Sequence, residues 1–409
     1  MYAARYLRSK SVRVTLIDRR NFHLFQPLLY QVATGGLSPA DIAYPLRAIF
    51  KKQKNVQILL GEVTDIDFTS NLVSVENKHI AYDYLIIATG SHHHYFGQNQ
   101  WEQFAPGLKT IEEATDIRSR ILTAFEMAET ENNPVRRKFF LTFAIIGGGP
   151  AGVEMAGAIA ELSRHTLLHD FRTINPQDAR ILLIEGANRI LPPYPEVLSL
   201  KAQSTLERLG VEIMINTRVT DINDNGITIK TLENEREIHC AVTIWAAGVQ
   251  ASALSNHIQM KLGSNSDKTG RLMVNSHCYL DGDEDVFVIG DLAHFKDKNG
   301  QPLPGIAPVA MQQGRYVARE IYARIKVKKT EPFRYIDKGN LAVIGRKSAV
   351  AFRKNVRFSG ITAWLLWLFV HLLYLVGFEN RVLVAVQWSF NYFTFNQSAR
   401  LITGLKQKK

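Results

Sequence analysis

Short apolar runs that end in glycine or an acidic residue recur along the chain and alternate with helix-like segments. The first run is Val12 to Ile17, which follows a helix-like stretch at residues 3–7 and is closed by Asp18. Later runs have the same form: YDYLIIATG, LTFAIIGGG, ARILLIEG, VTIWAAG and DVFVIGD. Segments such as IEEATDIRSRILTAFEMAE and GVEMAGAIAELSRHTL have helical spacing between them. This alternation predicts an α/β fold with parallel sheets.

Two regions interrupt the alternation with period-2 patterning and Asn/Asp-Gly-type turn residues. They are NVQILLGEVTDIDFTSNLVSVENKHIAY and GVEIMINTRVTDINDNGITIKTLENEREIHC. Each predicts an antiparallel meander inserted into a nucleotide-binding unit. Both halves of the chain therefore follow one order: strand, helix, strand, meander, and a strand ending in ATG or AAG. The sequence predicts a loose internal duplication.

One glycine loop lies in the context that binds a dinucleotide. FAIIGGGPAGVEMAGAIAEL contains G-x-G-x-x-G as Gly147, Gly149 and Gly152, after an apolar strand and before a helix. Gly147 permits the tight turn, Gly149 lets a pyrophosphate approach the backbone, and Gly152 lets helix and strand pack closely. The free N–H groups and positive dipole end of the helix then face the phosphates.

The strand ARILLIEG, which follows that helix, ends in Glu185. Its separation from the glycine loop exceeds the usual interval of about 20 residues, and the extension HTLLHDFRTINPQ accounts for the excess. A carboxylate at this strand end accepts hydrogen bonds from the adenosine ribose and repels a 2′-phosphate. The sequence therefore predicts NADH rather than NADPH.

Composition and charge narrow the class of protein. The chain has 409 residues, 46% of them apolar and 21% charged, which is typical of a globular protein with two or three domains. A net charge of +11 indicates an anionic partner, but no basic run with interleaved aromatic residues favours nucleic acid. Cys240 and Cys278 form neither a disulfide scaffold nor a metal-binding pattern, which suits a reducing compartment. No long apolar stretch follows Met1, so no signal peptide is predicted.

The last part of the chain has a different character. Residues 361–378 read ITAWLLWLFVHLLYLVGF, which is at the lower edge of the length of a membrane-spanning helix. Leu383, Val386, Phe390 and Phe393 then recur at helical spacing. Tryptophan, tyrosine and basic residues accompany both stretches, as is typical of a membrane interface. The basic residues are Arg353, Lys354, Arg357, Arg381, Arg400, Lys406, Lys408 and Lys409. A spanning helix, a helix lying in one leaflet and packing inside the protein are all consistent with this pattern.

Several motifs, in this order, resemble those of the type II NADH:quinone oxidoreductases, a family of flavoprotein reductases with two dinucleotide-binding domains. The motifs are RNFHLFQPLLYQVATGGLSP, IIGGGPAGVEMAGAIAEL, AGVQAS, VFVIGDLA and GIAPVAMQQGRYVARE. The resemblance covers nearly the whole chain. It implies a non-covalent FAD that takes a hydride from NADH and passes two electrons to a membrane quinone, without proton pumping. No redox-active cysteine pair is present, which excludes a dithiol relay.

The resemblance also implies roles for individual residues. Asp291, preceded by Gly290, would contact the ribityl chain of FAD, and Asp18 its adenosine ribose. The segment Thr89 to Gly90 would approach the flavin. We expect the cofactor-binding set to be Asp18, Thr89, Gly90, Gly147, Gly149, Gly152, Glu185, Gly248, Gly290 and Asp291.

The expected catalytic set is Glu154, Gln312, Gln313 and Lys347, and each has a plainer alternative. Glu154 is either a carboxylate near the nicotinamide and flavin or a first-turn acid that complements the helix dipole. Gln312 and Gln313, in AMQQG, would flank the quinone head and flavin, with the contact residue undecided, or face solvent at a helix start. Lys347 is either a proton donor near the quinone or a surface lysine. No metal site is expected, because consecutive histidines such as His92–His94 rarely converge on one ion.

The family resemblance also exposes a difference at the front of the chain. In the family the first strand and its glycine loop hold the FAD pyrophosphate, and this chain begins on the helix that follows. We therefore expect the first FAD strand and glycine loop to be missing and flavin binding by this exact chain to be weak. An inactive, truncated remnant and a related flavin reductase with another acceptor are the alternative functions.

The expected organisation has four parts. Residues 1–110 form the first part of an FAD-binding domain, 111–274 an NADH-binding domain, 275–345 the second FAD part and 346–409 a C-terminal membrane-association region. The resemblance implies a peripheral, monotopic protein on the cytoplasmic side of the cell inner membrane. Its expected partners are a membrane quinone, the lipid surface and a second copy in a homodimer.

Overall fold

The computed structural model describes residues 1–394, 397 and 399–403. Contacts divide the chain into two compact units. The first unit consists of Met1–His23, Tyr44–His92 and Val249–Lys338. The second consists of Leu24–Ala43, His93–Gly248 and the described residues from Gly339 onward.

The α-helices of both units are numbered in chain order. They are α1 (Tyr2–Tyr6), α2 (Leu29–Ala33), α3 (Pro39–Ile42), α4 (Leu46–Phe50), α5 (Ile111–Thr130), α6 (Pro134–Phe140), α7 (Pro150–Glu161), α8 (Glu196–Arg208), α9 (Leu254–Leu262), α10 (Ala307–Ile325), α11 (Ile361–Tyr374) and α12 (Phe378–Thr394).

The strands are numbered in the same way. They are β1 (Val14–Asp18), β2 (Phe22–Leu24), β3 (Ala43–Pro45), β4 (Val56–Leu60), β5 (Val63–Asp67), β6 (Leu72–Val75), β7 (Lys78–Ala81), β8 (Leu85–Ile87), β9 (Ser91–His93), β10 (Thr142–Ile146), β11 (Arg180–Ile184), β12 (Val211–Met214), β13 (Arg218–Asn223), β14 (Gly226–Lys230), β15 (Glu235–His239), β16 (Val242–Trp245), β17 (Val249–Ala251), β18 (Leu272–Met273), β19 (Tyr279–Leu280), β20 (Asp283–Val288), β21 (Ala293–His294), β22 (Asn340–Gly345), β23 (Ser348–Arg353) and β24 (Val356–Gly360).

A parallel sheet forms the centre of the second unit. Its strand order is β12-β11-β10-β16, and β10 pairs in parallel with both β11 and β16. All five residues of β10 are buried, as expected for a strand with neighbours on both edges and helices over the sheet. The glycine loop follows this strand directly. The α/β prediction with parallel sheets is confirmed here.

The two meanders form as predicted. Strands β5-β6-β7 make one antiparallel sheet in the first unit, and β13-β14-β15 make another in the second. Each has a buried inner face, exemplified by Ile66 and Val73 in the first and Ile227 and Ile229 in the second.

The parallel strands of the first unit form two separate sheets. Strand β1 pairs with β4, while β8 pairs with β20. In the described chain no strand pairs with the second edge of β1. All five residues of β1 are only partly buried, unlike those of β10, which has partners on both edges.

The division into units differs from the expected domain boundaries. Residues 249–274 were expected in the NADH-binding part but lie in the first unit. The reason is packing: Leu272 pairs with Ala293 in the β18–β21 ladder, and Ile258 of α9 is buried in the same core as Val286 and Val288. Residues 24–43 join the second unit, where α2 packs against α5 and α7.

The C-terminal region is an antiparallel sheet, β22-β23-β24, followed by α11 and α12. His371, one of two polar residues in the apolar stretch, stacks on Trp367 with ring centroids 4.2 Å apart. Burial lowers the pKa of His371 to about 4, so the ring is neutral. Among the described helices, none combines the length and the apolar character needed to cross a bilayer. Lys406, Lys408 and Lys409 lie outside the described residues.

Candidate functional site

At two positions of the glycine loop between β10 and α7, a side chain larger than that of glycine would clash with the backbone. A Cβ on Gly152 would lie 1.8 Å from the carbonyl oxygen of Gly147. Gly147 has a φ of +112°, and a Cβ there would lie 2.7 Å from the backbone of Ala246. These clashes are the physical reason for glycine, because the loop must turn sharply while α7 packs against the sheet.

Gly149 has a different environment. A Cβ at this position would have nothing within 4 Å, so space is open in front of the N-terminus of α7. Pro150 begins the helix, and the first N–H groups of its 12 residues lack partners from a preceding turn. The helix end can therefore receive a pyrophosphate, as the sequence predicts.

Glu185 follows β11 and its carboxylate lies against the glycine loop. Oε2 accepts a hydrogen bond from the backbone N–H of Gly148 at 2.6 Å, and Oε1 accepts one from Ala187 at 2.7 Å. These bonds fix the carboxylate beside the loop while leaving lone pairs for ribose hydroxyls, because each carboxylate oxygen can accept two hydrogen bonds.

Gly248 and the three histidines lie at positions where the chain passes from one unit to the other. Within the second unit, Gly248 has a φ of +75° and its carbonyl accepts from the N–H of His94 at 3.4 Å. His93 lies 3.4 Å from Glu113 in the same unit. In the first unit, His92 contacts the side chain of Gln250 at 2.7 Å. The rings of His92, His93 and His94 contact Gln250, Glu113 and Phe96 respectively, and the described residues contain no cluster that could hold a metal ion.

Residues expected at the flavin meet within the first unit at the ends of β8 and β20. These strands are parallel, so Thr89–Gly90 and Gly290–Asp291 lie at the same sheet edge. The hydroxyl of Ser91 donates to Oδ2 of Asp291 at 2.8 Å. A Cβ on Gly90, whose φ is +72°, would meet nothing within 4 Å, so this edge is open to a ligand. Sequence reasoning missed Ser91, which has no motif of its own.

The fit to FAD is thus good at its ribityl end. At the end of β1, Asp18 accepts a hydrogen bond from the N–H of Arg20 at 2.9 Å and can also accept from a ribose hydroxyl. The 409 residues contain one G-x-G-x-x-G sequence, at Gly147–Gly152 in the second unit. The described residues of the first unit therefore offer carboxylate acceptors at the ends of β1 and β20, and they contain no glycine loop of this type.

The neighbouring glutamines of α10 have different partners. The side chain of Gln312 makes two hydrogen bonds to the backbone of Ile336, at 2.9 and 3.0 Å. Gln313 is buried, and its Oε1 accepts from the N–H of Gly290 at 2.8 Å. In the described chain its Nε2 has no hydrogen-bond partner. Gln313 therefore has a buried N–H donor without a partner next to Gly290, whereas Gln312 holds the loop at Ile336.

Glu154 is not a simple first-turn acid. Its Oε1 lies 3.4 Å from the N–H of Val343 in β22. Desolvation raises the pKa of Glu154 to about 8, against the smaller opposite effect of that hydrogen bond. The carboxyl is therefore largely protonated at neutral pH and can act as a proton donor.

A second acid on α7 lies on the same face and was missed. Glu161 is seven residues after Glu154 and accepts a hydrogen bond from the N–H of Arg346. Burial raises the pKa of Glu161, while Arg346 acts in the opposite direction. The two-turn spacing was a readable signal, because residues seven apart lie on one side of a helix.

Lys347 occupies the turn between β22 and β23, with a φ of 62°. Its Nζ lies 5.4 Å from the centre of the Tyr392 ring in α12, and the Arg346 guanidinium is 4.3 Å from the same ring. Both cations thus contact the last helix through cation–π interactions. The ammonium of Lys347 therefore contacts a ring of α12 as well as solvent.

Helix α12 presents its polar side to the protein. Asn380 donates to the carbonyls of Ala40 and Asp41, each at 3.0 Å. Trp388 donates to the side chain of Gln31 at 2.7 Å, and Gln31 in turn donates to the hydroxyl of Tyr30 at 2.8 Å. These bonds join α12 to residues 30–41, a segment that sequence reasoning did not connect with the tail.

The opposite side of α12 is apolar and exposed. The apolar face of α12 consists of four side chains, and between 52% and 79% of the surface of each is exposed to solvent. They are Leu383, Val386, Phe390 and Phe393. The hydrophobic positions predicted at helical spacing are therefore on one face, and that face points away from the protein. On α11, Leu365, Phe369 and Leu373 are exposed to a similar degree. Contiguous exposed apolar surface of this kind marks a protein or membrane contact.

Cys240 and Cys278 are both buried. Burial raises the pKa of the Cys240 thiol to about 11 and that of Cys278 further. Neither thiol forms the thiolate that redox relay chemistry requires.

Comparison with known proteins extends these observations over the whole chain. Residues 1–314 match the family model described as pyridine nucleotide-disulphide oxidoreductase, and residues 338–395 match the NDH2 C-terminal domain. The chain is 42% identical to the type II NADH:quinone oxidoreductase Ndh of Mycobacterium tuberculosis, covering 98% of this chain and 87% of that protein. It is 30% identical to the type II NADH:quinone oxidoreductase of Staphylococcus haemolyticus, covering 82% of each.

Solved structures show the same fold. The NDH2 of Plasmodium falciparum in complex with NADH matches with a TM-score of 0.89 at 20% identity, covering 98% of this chain and 97% of that one. The sulfide:quinone oxidoreductase of Aquifex aeolicus matches with a TM-score of 0.70 at 17% identity, covering 99% and 90%.

Proposed function

Because the chain belongs to the pyridine nucleotide-disulphide oxidoreductases, and within them to the type II NADH:quinone oxidoreductases, we propose that it oxidises NADH and reduces a membrane quinone without pumping protons. The single observation that carries the proposal is the Glu185 carboxylate held 2.6 Å from the N–H of Gly148 in the glycine loop. That arrangement is built for the ribose and pyrophosphate of NADH.

At the nucleotide site, the N-terminus of α7 binds the pyrophosphate through its N–H groups, and Gly149 leaves the space for it. Glu185 accepts the hydrogen bonds of the adenosine ribose. The same carboxylate repels a 2′-phosphate, so NADH is the preferred reductant over NADPH.

In the first unit, Thr89, Gly90 and Asp291 hold the ribityl end of FAD, and Asp18 accepts from its adenosine ribose. FAD held there would supply the hydride-accepting and two-electron-donating chemistry of the reaction. Ser91 orients the Asp291 carboxylate through the 2.8 Å hydrogen bond that it donates.

For the acceptor, Gln313 is the residue of the AMQQG motif that contacts the quinone head. Its buried Nε2 donates to a quinone oxygen, since Oε1 is held by Gly290. In the second unit, Glu154 holds a proton at its carboxyl group near neutral pH and is the proposed proton donor of the reaction. Lys347 serves as a cationic contact of α12 rather than a donor to the quinone.

The membrane is reached through the exposed apolar faces of α11 and α12. A helix whose polar side bonds to the protein and whose apolar side is exposed lies with that side in the headgroup–acyl boundary. In this monotopic arrangement, Arg353, Lys354 and Arg357 meet anionic headgroups.

The proposed location is the cytoplasmic side of the cell inner membrane. Buried free thiols suit the reducing compartment in which NADH is generated. We also propose that two copies form a homodimer through the C-terminal region. Light scattering of the detergent-solubilised protein measures its oligomeric state.

The test of the proposal is the flavin absorbance of the FAD-loaded protein. Addition of NADH is expected to bleach it, and addition of a soluble quinone to restore it. NADH oxidation should then depend on the quinone concentration. A flavin that NADH does not bleach indicates the inactive alternative, and bleaching without quinone-dependent recovery indicates a reductase with another acceptor.

A further inference from the structure

A groove in the first unit lies along the exposed side of α10. Its volume is about 480 Å³. The lining residues are Tyr6, Gln312, Arg315, Tyr316, Arg319 and the loop Glu331–Arg334. We call it the arginine groove, because Arg315, Arg319 and Arg334 contribute three of its side chains. Its lining contains one carboxylate, that of Glu331.

Glu331 is the one acidic residue that lines the groove, and it forms no ion pair with the three arginines in the described part of the chain. Arg315, Arg319 and Arg334 are exposed, and in the described part of the chain none of them forms an ion pair with a carboxylate. Arg315 and Arg319 are four residues apart, so they project from one face of α10. Like charges this close repel one another unless an anion lies between them.

Aromatic rings hold two of these arginines in place. The Arg315 guanidinium lies 5.0 Å from the centre of the Tyr2 ring, and that of Arg319 lies 5.3 Å from the centre of the Tyr316 ring. A stacked guanidinium keeps its N–H donors free at the edge of the plane. The two cations are therefore oriented before a ligand arrives, which reduces the entropic cost of binding.

The floor of the groove is rigid and mostly apolar. Tyr316 and Phe333 are buried, with ring centroids 5.3 Å apart. The Tyr316 hydroxyl is engaged by His277 at 2.7 Å and by the carbonyl of Glu331 at 2.9 Å. The polar recognition capacity of the groove thus resides in the arginine rim.

We propose that the arginine groove binds a phosphate group of an anionic ligand, with the guanidinium groups of Arg315, Arg319 and Arg334 as donors. Arginine presents a planar fork that matches phosphate oxygens in a bidentate manner. The groove is distinct from the proposed quinone contact, because Gln313 is buried on a different side of α10. The proposal does not depend on the quinone reductase activity.

The first test measures binding of inorganic pyrophosphate by isothermal titration calorimetry. The protein is loaded with FAD and saturated with NAD⁺, which occupies the glycine loop of α7. We expect saturable binding that weakens as salt increases. The triple variant Arg315→Gln, Arg319→Gln, Arg334→Gln should lose affinity by more than about tenfold, because charged hydrogen bonds are removed.

A matched control removes the same number of charges elsewhere. Arg136, Arg208 and Arg236 are exposed in the second unit, and their triple replacement by glutamine should leave pyrophosphate binding unchanged. Absence of binding to the wild-type protein, or equal losses in both triple variants, overturns the proposal. If the groove variant loses its cooperative thermal transition, the three single variants replace it, each expected to weaken binding by about twofold or more.

A second measurement identifies the source of the phosphate. Wild-type and groove variants are sedimented with vesicles of phosphatidylcholine alone and of phosphatidylcholine mixed with phosphatidylglycerol. A groove variant that loses the preference for phosphatidylglycerol assigns the site to a lipid headgroup. An unchanged preference combined with lost pyrophosphate binding assigns it to a soluble phosphate compound. Unchanged behaviour in both measurements contradicts the proposal.

Discussion

Oε1 of Glu154 lies 3.4 Å from the backbone nitrogen of Val343, so the helix that carries the glycine loop is hydrogen-bonded to the C-terminal sheet. The contact is close all along this face of α7. A Cβ on Gly157, between Glu154 and Glu161, would lie 1.8 Å from the carbonyl oxygen of Ile344. Glu154 is therefore held in a poorly solvated layer between α7 and β22, and this position explains its protonation.

Replacing Glu154 by glutamine should reduce quinone-dependent turnover by about 10²-fold, because a glutamine cannot release a proton. The rate of the wild-type enzyme should fall as pH rises through about 8, where Glu154 loses its proton. This alkaline limb should be absent in the variant. Steady-state rates of the wild type and the variant across the pH range measure this difference. The exposed first-turn acid Glu196 of α8 provides the control Glu196→Gln, and an alkaline limb that persists in Glu154→Gln contradicts the assignment.

The same carboxyl makes a separate prediction about stability. Its pKa is raised from the ordinary 4.5 to about 8 in the folded protein. Between these values the native state binds more protons than the unfolded state, so the free energy of unfolding falls as pH rises and levels off above about 8. Glu154→Gln removes that contribution. Its thermal midpoint should decline less than that of the wild type between pH 5 and 8, as scanning calorimetry measures.

The two glutamines of α10 should respond differently to replacement by leucine. Gln313→Leu removes the buried donor and leaves the Gly290 N–H without its acceptor, so quinone reduction should fall by about tenfold or more while NADH-driven bleaching of the flavin continues. Gln312→Leu breaks two hydrogen bonds to Ile336 and should lower stability by about 1–2 kcal/mol with a smaller effect on turnover. Pre-steady-state absorbance separates the two half-reactions, and the reverse pattern would assign the contact to Gln312.

Glu185→Gln should weaken NADH more than it slows the chemistry. The variant keeps one acceptor oxygen for the Gly148 N–H but loses the negative charge and the second acceptor that bind the ribose, so KM for NADH should rise by about tenfold or more, with a smaller change in kcat. The ratio of kcat/KM values for NADH over NADPH should fall because the repulsive charge is gone. An unchanged ratio would mean that another residue selects the nucleotide. The exposed Glu207→Gln on α8 is the control.

Most of the architecture could be predicted from the sequence, because the patterns that indicate strands, helices and the glycine loop are local. Strand β10 and helix α7 follow from an apolar run, a glycine loop and a helical pattern within one stretch of chain. The limits of the two units were harder to predict, because Leu272 joins the first unit through its pairing with Ala293 and its burial with Ile258, which are non-local contacts.

The site was predicted unevenly for the same reason. Gly147, Gly149 and Gly152 have roles set by backbone geometry, which a motif records. The distinction between Gln312 and Gln313 depends on Ile336 and Gly290, which are remote in sequence. Ser91 and the contact of Trp388 with Gln31 likewise exist only in three dimensions, so no pattern along the chain indicated them.

The apolar face of α12 makes the final prediction, which concerns membrane attachment. Replacing Leu383, Phe390 and Phe393 by glutamine removes three side chains that are 52%, 52% and 79% exposed in the protein. Since they have little protein contact to lose, the thermal midpoint should change little. Burial of such side chains in lipid contributes about 1.5–3 kcal/mol each, so co-sedimentation with phosphatidylcholine vesicles should fall by more than about 10²-fold.

Val197, Leu200 and Leu232 are comparably exposed on the second unit and give the matched triple control. If the α12 variant still sediments like the wild type, or the control loses binding equally, this face is not the membrane contact. A second measurement compares turnover with the two kinds of quinone. Turnover of the α12 variant that falls with long-chain, membrane-embedded quinones and persists with soluble ones supports membrane attachment through this face.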